Sequence, residues 1–249
     1  MPTRTIADLD YLLPLFHLAE QMEGDDHTFA LAEAPVGSTL ELDDNGLDGY
    51  YVSHRASFAL TSSLEHVRAM RALAESGSVA AGPLWSLTRG VLEPAAAGLW
   101  LLSPSTREAR RRRTLKLWRH DMGQLADWRK GTQRKGKDHV AAIDDLAMSL
   151  GMGTLGKVKY SVIVRQAGDK TPVGGARALT HWRECSAFAH GSYWGSLFLN
   201  DNTFVEELRG GAAFRSALDE KVHAKACATA LMVLQAGVDS WERHTRPTA

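Results

Sequence analysis

The chain has 249 residues, enough to bury a sizeable core, and its 44% hydrophobic and 23% charged residues exclude global disorder. Lys plus Arg equals Asp plus Glu at 29 each, so net charge alone draws it to no nucleic acid, membrane or acidic partner. Two cysteines far apart, Cys185 and Cys227, are too few for a thiolate metal cluster and read as buried free thiols.

The charges are unevenly placed. Residues 1–50 carry eleven acids against one base, Arg4. Residues 107–137 carry twelve bases against Glu108, Asp121 and Asp127. That asymmetry predicts either a basic surface for an anion or internal pairing of the two regions. The N-terminus has no basic stretch followed by an apolar one, so a cytoplasmic protein is expected.

Along the chain, Ile6–Met22 has helical spacing interrupted by Pro14. Residues 24–53 change character: Gly24-Asp25-Asp26, Pro35-Val36-Gly37 and Asp43-Asp44-Asn45-Gly46 are turn chemistry, and Thr39–Leu42 with Tyr50–Ser53 predict a small hairpin. From His54 the pattern is helical, with Leu60, Leu64 and Val67 on one face until Gly77 and Gly82-Pro83. A second helix spans Leu84–Leu102, with a kink expected at Pro94. Ser103-Pro104-Ser105-Thr106 stops it and caps a third, Thr106–Lys130, whose core face is Leu115, Trp118, Met122 and Leu125. A basic loop, 131–137, precedes a short helix at 138–150. Val158–Arg165 fits strand or helix. Two last helices are expected at 175–192 and 212–244.

The fold class read from this is all-α, a bundle of five to seven helices (54–249) with a small irregular or hairpin-containing N-terminal segment (1–53) packed on it. The longest apolar runs, Val91–Leu102 and Ala226–Val238, are too short or interrupted to span a membrane.

Candidate function lies in polar residues on otherwise apolar helical faces. Arg89 and Glu93 are one turn apart. Arg183 and His190 are two turns apart on one stripe, with Ser186 between them. Arginine offers a fixed fork of donors for phosphate, and histidine moves protons near neutrality. Together they suffice to cleave RNA without a metal: histidine works on the ribose hydroxyl or leaving oxygen, and arginine stabilises phosphoryl charge. Arg89, Glu93 and Ser186 would support the pair. The competing reading makes the cluster architectural, in a non-catalytic helical interaction protein.

Arg183-Glu184-Cys185-Ser186-Ala187-Phe188-Ala189-His190 resembles the R-x(4–6)-H motif of the HEPN superfamily, helical-bundle proteins that include metal-independent ribonucleases of prokaryotic defence and toxin systems. The Arg89…Glu93 helix followed by Ser186-x-x-x-His190-Gly191 is similar to uncharacterised bacterial helical proteins related to that group. Arg113…His120 and Arg134…His139 match the same spacing, but only Arg183…His190 lies in a penultimate helix followed by a long closing one. The resemblance implies Arg183 and His190 as a catalytic pair, a homodimer and an RNA or nucleotide ligand. Arg110, Arg111, Arg112, Arg113 and Arg119 are the candidate phosphate contacts, with Trp118 and Trp128 available to stack on bases. A third possibility is a small-molecule pocket lined by Trp85, Trp100, Trp182 and Trp194. No cofactor or metal is expected, since Glu220-x-x-His223 is half of a di-iron signature without its second half.

Overall fold

A computed structural model describes residues 6–24, 34–77 and 80–247, with side chains from Leu9 onward. Asp25 and Asp26 of the first expected turn, and the acids Asp8 and Glu33, lie outside the described residues or side chains. The chain is mostly helical, as expected, but it is not purely so. Among the described residues there are ten α-helices and one two-stranded antiparallel sheet.

Pro14 starts a helix rather than interrupting one. A 3-10 stretch, Ile6–Leu12, ends where α1 (Leu13–Gln21) begins, and the proline occupies the first turn, where no N–H is needed. The hairpin expected at 39–53 is not formed. Ser38 instead accepts from the Glu41 amide and caps α2 (Thr39–Asp44). Asp44 at the end of α2 accepts from the Val52 and Ser53 amides and so caps α3 (Val52–Glu75). Val36-Gly37 and Asn45-Gly46 are turns, but Asp43 and Asp44 form the end of α2 itself, and these turns flank a helix where strands were expected.

Helix α4 (Ala81–Leu102) is the centre of the molecule. It buries Leu84, Val91, Leu92, Ala95, Leu99 and Leu101 on faces pointing in several directions, as a helix apolar all round must. It packs on α3, α7, α8 and α10. It continues through Pro94. At Gly90 an added Cβ would come within 2.1 Å of the His66 ring, so glycine is what lets α3 lie so close. Helix α5 (Arg107–Thr132) follows a Thr106 cap, and α6 (His139–Ser149) follows an Asp138 cap. The open segment 158–165 becomes α7 (Tyr160–Gly168), and α8 (Gly175–Ala189) crosses it.

The helix count exceeds the expected five to seven because α1, α2 and the single-turn α9 (Tyr193–Phe198) are separate short pieces. The expected helix 212–244 is split. Its first part is strand: β1 (Asn200–Leu208) pairs with β2 (Gly211–Leu218), with an irregularity between Phe204 and Glu206. Only then does α10 (Glu220–Thr245) begin, capped by Asp219. The apolar core is one contiguous cluster from Leu9 to Trp241, to which the N-terminal residues Leu12, Leu40 and Leu47 contribute fully buried side chains. No helix among the described residues is long and apolar enough to cross a membrane.

Candidate functional site

Consecutive helical residues project about 100° apart, so the run Arg110–Arg113 fans around α5 instead of forming one stripe. Each arginine meets a different part of the chain. Arg110 is buried and holds Asp43 with two bonds, Nε to Oδ2 at 2.5 Å and Nη2 to Oδ1 at 2.9 Å. Arg111 donates to the Asn45 carbonyl at 2.9 Å, and Arg112 to the carbonyls of Met152 and Thr154. Arg113 donates to the Trp100 carbonyl and lies over the Trp100 ring at 4.5 Å. Arg119 grips Asp144 at 2.6 and 2.9 Å. Burial pushes the Arg111 and Arg113 guanidinium pKa values down, whereas the Asp144 bond raises that of Arg119. All five candidate phosphate contacts therefore have partners on this chain. The positive concave surface is elsewhere, a groove of about 760 Å³ between α5 and α6 lined by Arg129, Lys130, Arg134, Lys135 and Lys137.

Arg89 and Glu93 do meet. Arg89 Nη2 donates to Glu93 Oε2 at 2.8 Å, and Trp182 Nε1 from α8 donates to the same oxygen at 2.7 Å. The Arg89 guanidinium lies over the Trp182 ring at 5.8 Å. Four residues earlier on α4, Trp85 stacks on Phe188 with ring centroids 5.1 Å apart and planes 4° apart. Helices α4 and α8 are thus joined by two aromatic contacts and one shared carboxylate. Ser186 bonds back to the Trp182 carbonyl at 2.7 Å. Of the four tryptophans weighed as one pocket, Trp100 and Trp194 lie apart from this junction: Trp100 bonds Gln166, and Trp194 is exposed on α9.

The Arg183 and His190 side chains are exposed, and no hydrogen bond or ion pair joins them to each other or to Arg89 and Glu93. His190 caps the C-terminus of α8. Seven residues of helix separate them by roughly 10 Å along the axis. Beyond His190 the surface becomes apolar. Of fourteen large hydrophobic side chains exposed among the described residues, seven lie between Tyr193 and Phe214, so half of these side chains sit on α9 and the hairpin.

Sequence reasoning did not find a second polar group beside the Arg89–Glu93 pair. Arg55 of α3, with only 7% of its side chain exposed, pairs with Asp121 of α5 at 3.0 Å and shares a cavity wall with Tyr160 of α7. Burial, together with the charges of Asp121 and Glu93, raises the Tyr160 pKa against the opposing effect of Arg55. These residues, with Glu93, Phe58 and Pro94, line a cavity of about 300 Å³. The available signal was Arg55 itself, an arginine among Val52, Ala56, Ala59 and Leu60 on the core face of α3.

The half di-iron signature resolves into a packing site. His223 is fully buried, with Nδ1 2.8 Å from the Tyr11 hydroxyl and Nε2 2.9 Å from Thr88 Oγ1. Burial lowers its pKa to about 4. Among the described residues no group of three or more His, Cys, Asp or Glu is placed to hold a metal. Cys185 and Cys227 are buried and free, and burial raises both thiols, Cys227 to about 12. No family model, curated protein or solved structure matches this chain.

Proposed function

We propose that this chain is a helical interaction protein that works as a homodimer, joined through α9 and the β1–β2 hairpin. The observation that carries this reading is the concentration of exposed Tyr193, Trp194, Phe198, Phe204, Leu208 and Phe214 on one stretch of chain, since clustered exposed apolar side chains mark interaction sites. A lone two-stranded sheet is marginal by itself and has two unpaired edges. A second copy is the occupant that charge favours. Strand β1 carries Asp201, Glu206 and Glu207, while β2 carries Arg215 alone. Two copies meeting through β2 across a two-fold axis form a four-stranded sheet without setting acid against acid.

Sedimentation at micromolar concentration tests this. The wild type is expected as a dimer, and Phe204→Asp with Phe214→Asp as a folded monomer. A monomeric wild type overturns the proposal.

A second reading, favoured by the basic groove between α5 and α6 and by the exposed, unpartnered Arg183 and His190, is the HEPN-like one. In it the dimer cleaves RNA without metal, with Arg183 stabilising phosphoryl charge and His190 moving the proton. Labelled RNA in EDTA is then cut by the wild type and at least about a hundredfold more slowly by Arg183→Ala and His190→Ala. Equal cleavage by all three, or none by any, removes this second reading and leaves the interaction protein standing.

A further inference from the structure

The cations of α5 divide into two sets. The arginines of its first half, from Arg107 to Arg119, all donate to carbonyls or carboxylates of this chain. Those around its C-terminus line the groove between α5 and α6, where five cations meet two carboxylates, Asp127 and Asp138. Both carboxylates are engaged. Asp127 holds Lys130 at 3.2 Å, and Asp138 accepts from the Val140 and Ala141 amides at the start of α6. Arg129 is a brace, its Nη1 donating to the Lys137 carbonyl across the groove at 3.1 Å. An added Cβ on Gly136 would come within 2.6 Å of the Arg129 guanidinium, so glycine is what admits that brace. The wall is further fixed where the His139 ring meets the Tyr50 hydroxyl at 3.0 Å. Three cations remain. The Lys135 and Lys137 ammonium groups have no hydrogen bond or ion pair among the described residues. Arg134 has no ion pair there either, and its guanidinium lies over the Trp128 ring at 5.0 Å. Trp128 is itself 50% exposed, so a flat aromatic surface borders the unspent charge.

We propose that this groove binds single-stranded nucleic acid, with Arg134, Lys135 and Lys137 on its phosphates and a nucleobase stacked on the Trp128–Arg134 pair. A phosphate chain gives up its condensed counterions to cations that replace them, and unpaired surface cations are what that exchange requires. An acidic peptide would meet the same charge but has no aromatic face to set on Trp128. A duplex keeps its nucleobase faces stacked inside. A single strand offers both phosphates and free faces, and stacking on an exposed aromatic is indifferent to sequence because every nucleobase has a π-face. The volume of about 760 Å³ lies well within the range of ligand clefts, about 300–1,000 Å³. These residues lie on other elements than α9 and the hairpin, and binding needs neither Arg183 nor His190. The site therefore stands whether or not either reading above does.

The test is fluorescence anisotropy of a labelled oligodeoxythymidine of about 20 nucleotides with the full chain, titrated between about 50 and 200 mM salt. The probe carries no 2′-hydroxyl, so binding is read without cleavage, and failure of the ribonuclease reading leaves the result untouched. The wild type is expected to bind with a Kd of about 1–100 µM near physiological salt. Log affinity should fall against log salt with a slope of about −2, three phosphates at about 0.7 each. Lys135→Ala with Lys137→Ala, both at exposed positions that do not endanger the fold, should bring the slope to about −0.7 and weaken binding at least about tenfold at low salt. Trp128→Ala should weaken binding about fivefold or more and leave the slope as it was. Polyglutamate of equal charge should compete at least about tenfold less well than unlabelled oligonucleotide. No binding by the wild type overturns the proposal. So does a slope unchanged in the lysine variant, an affinity unchanged in Trp128→Ala, or polyglutamate competing as well as the oligonucleotide.

Discussion

At the scale of single residues, the most consequential group is His223. Thr88 Oγ1 donates to the Leu84 carbonyl, which assigns the proton on His223 to Nε2 and leaves Nδ1 to accept from Tyr11. The imidazole is thus held neutral with both nitrogens bonded. Its folded pKa of about 4 lies below the ordinary 6.5, so the unfolded chain takes up a proton first as pH falls. The stability this gives is complete above pH 6.5 and is lost as pH drops from 6.5 towards 4, about 3 kcal/mol in all. His181 and His244, also lowered chiefly by burial, add to the loss in the same direction. Urea unfolding at neutral and acid pH checks this. A His223→Gln variant should be less stable at pH 7 and should respond less steeply to acid. An unchanged slope in that variant would place the acid sensitivity elsewhere.

At the scale of elements, helix crossings depend on small residues at particular contacts. Helices α7 and α8 meet where an added Cβ on Gly175 would lie 2.4 Å from the Arg165 carbonyl, a backbone atom that cannot turn aside. Gly175→Ala is expected to cost about 1–3 kcal/mol in chemical unfolding. Gly123→Ala, in α5 with open space around the position, should instead be neutral or stabilise by up to about 1 kcal/mol. Equal effects at the two positions would refute the crossing argument. The long helices were legible in the sequence because their apolar spacing, proline and caps agree: α3, α4, α5 and α6 lie within three residues of their expected bounds. The hairpin was missed because Ala212, Ala213, Ala217 and Leu218 read as helix formers running into α10. The contrary signals were Gly210-Gly211 at the turn and the Thr203-Phe204-Val205 run, and they were outvoted by composition. The false hairpin at 39–53 failed for the opposite reason. Its Asp-rich turn was counted as a strand connector, when Asp44 serves as a helix cap.

At the scale of the whole molecule, the charge asymmetry of the sequence allows either a basic surface for an anion or internal pairing, and contact geometry shows the second at Asp43, while Glu20 and Glu23 pair with Arg71 and Arg68 of α3. Asp43 reaches Arg110, and the Asn45 carbonyl receives Arg107 and Arg111, so the two regions are tied to each other. Breaking a buried pair such as Asp43–Arg110 typically costs about 3–5 kcal/mol, which marks these charges as architecture. The polar stripe was half legible. Arg89 and Glu93 meet as their spacing implied. The cavity beside them draws on Arg55, Asp121 and Tyr160, which are up to 105 positions apart in sequence, and no spacing rule connects them.

The place of α10 has a consequence for how a cell makes this protein. Helix α10 lies against the 3-10 stretch, α1, α2, α3, α4 and α8, all of which leave the ribosome before it does. Until it arrives, the groove that receives Ala226, Val233, Leu234 and Trp241 is wet, and Tyr11 and Thr88 have no imidazole between them. At ordinary synthesis rates of about 5–20 residues per second, those 26 residues take roughly 1–5 s to appear. For that interval the nascent chain presents an open apolar trough, the surface that holding chaperones bind.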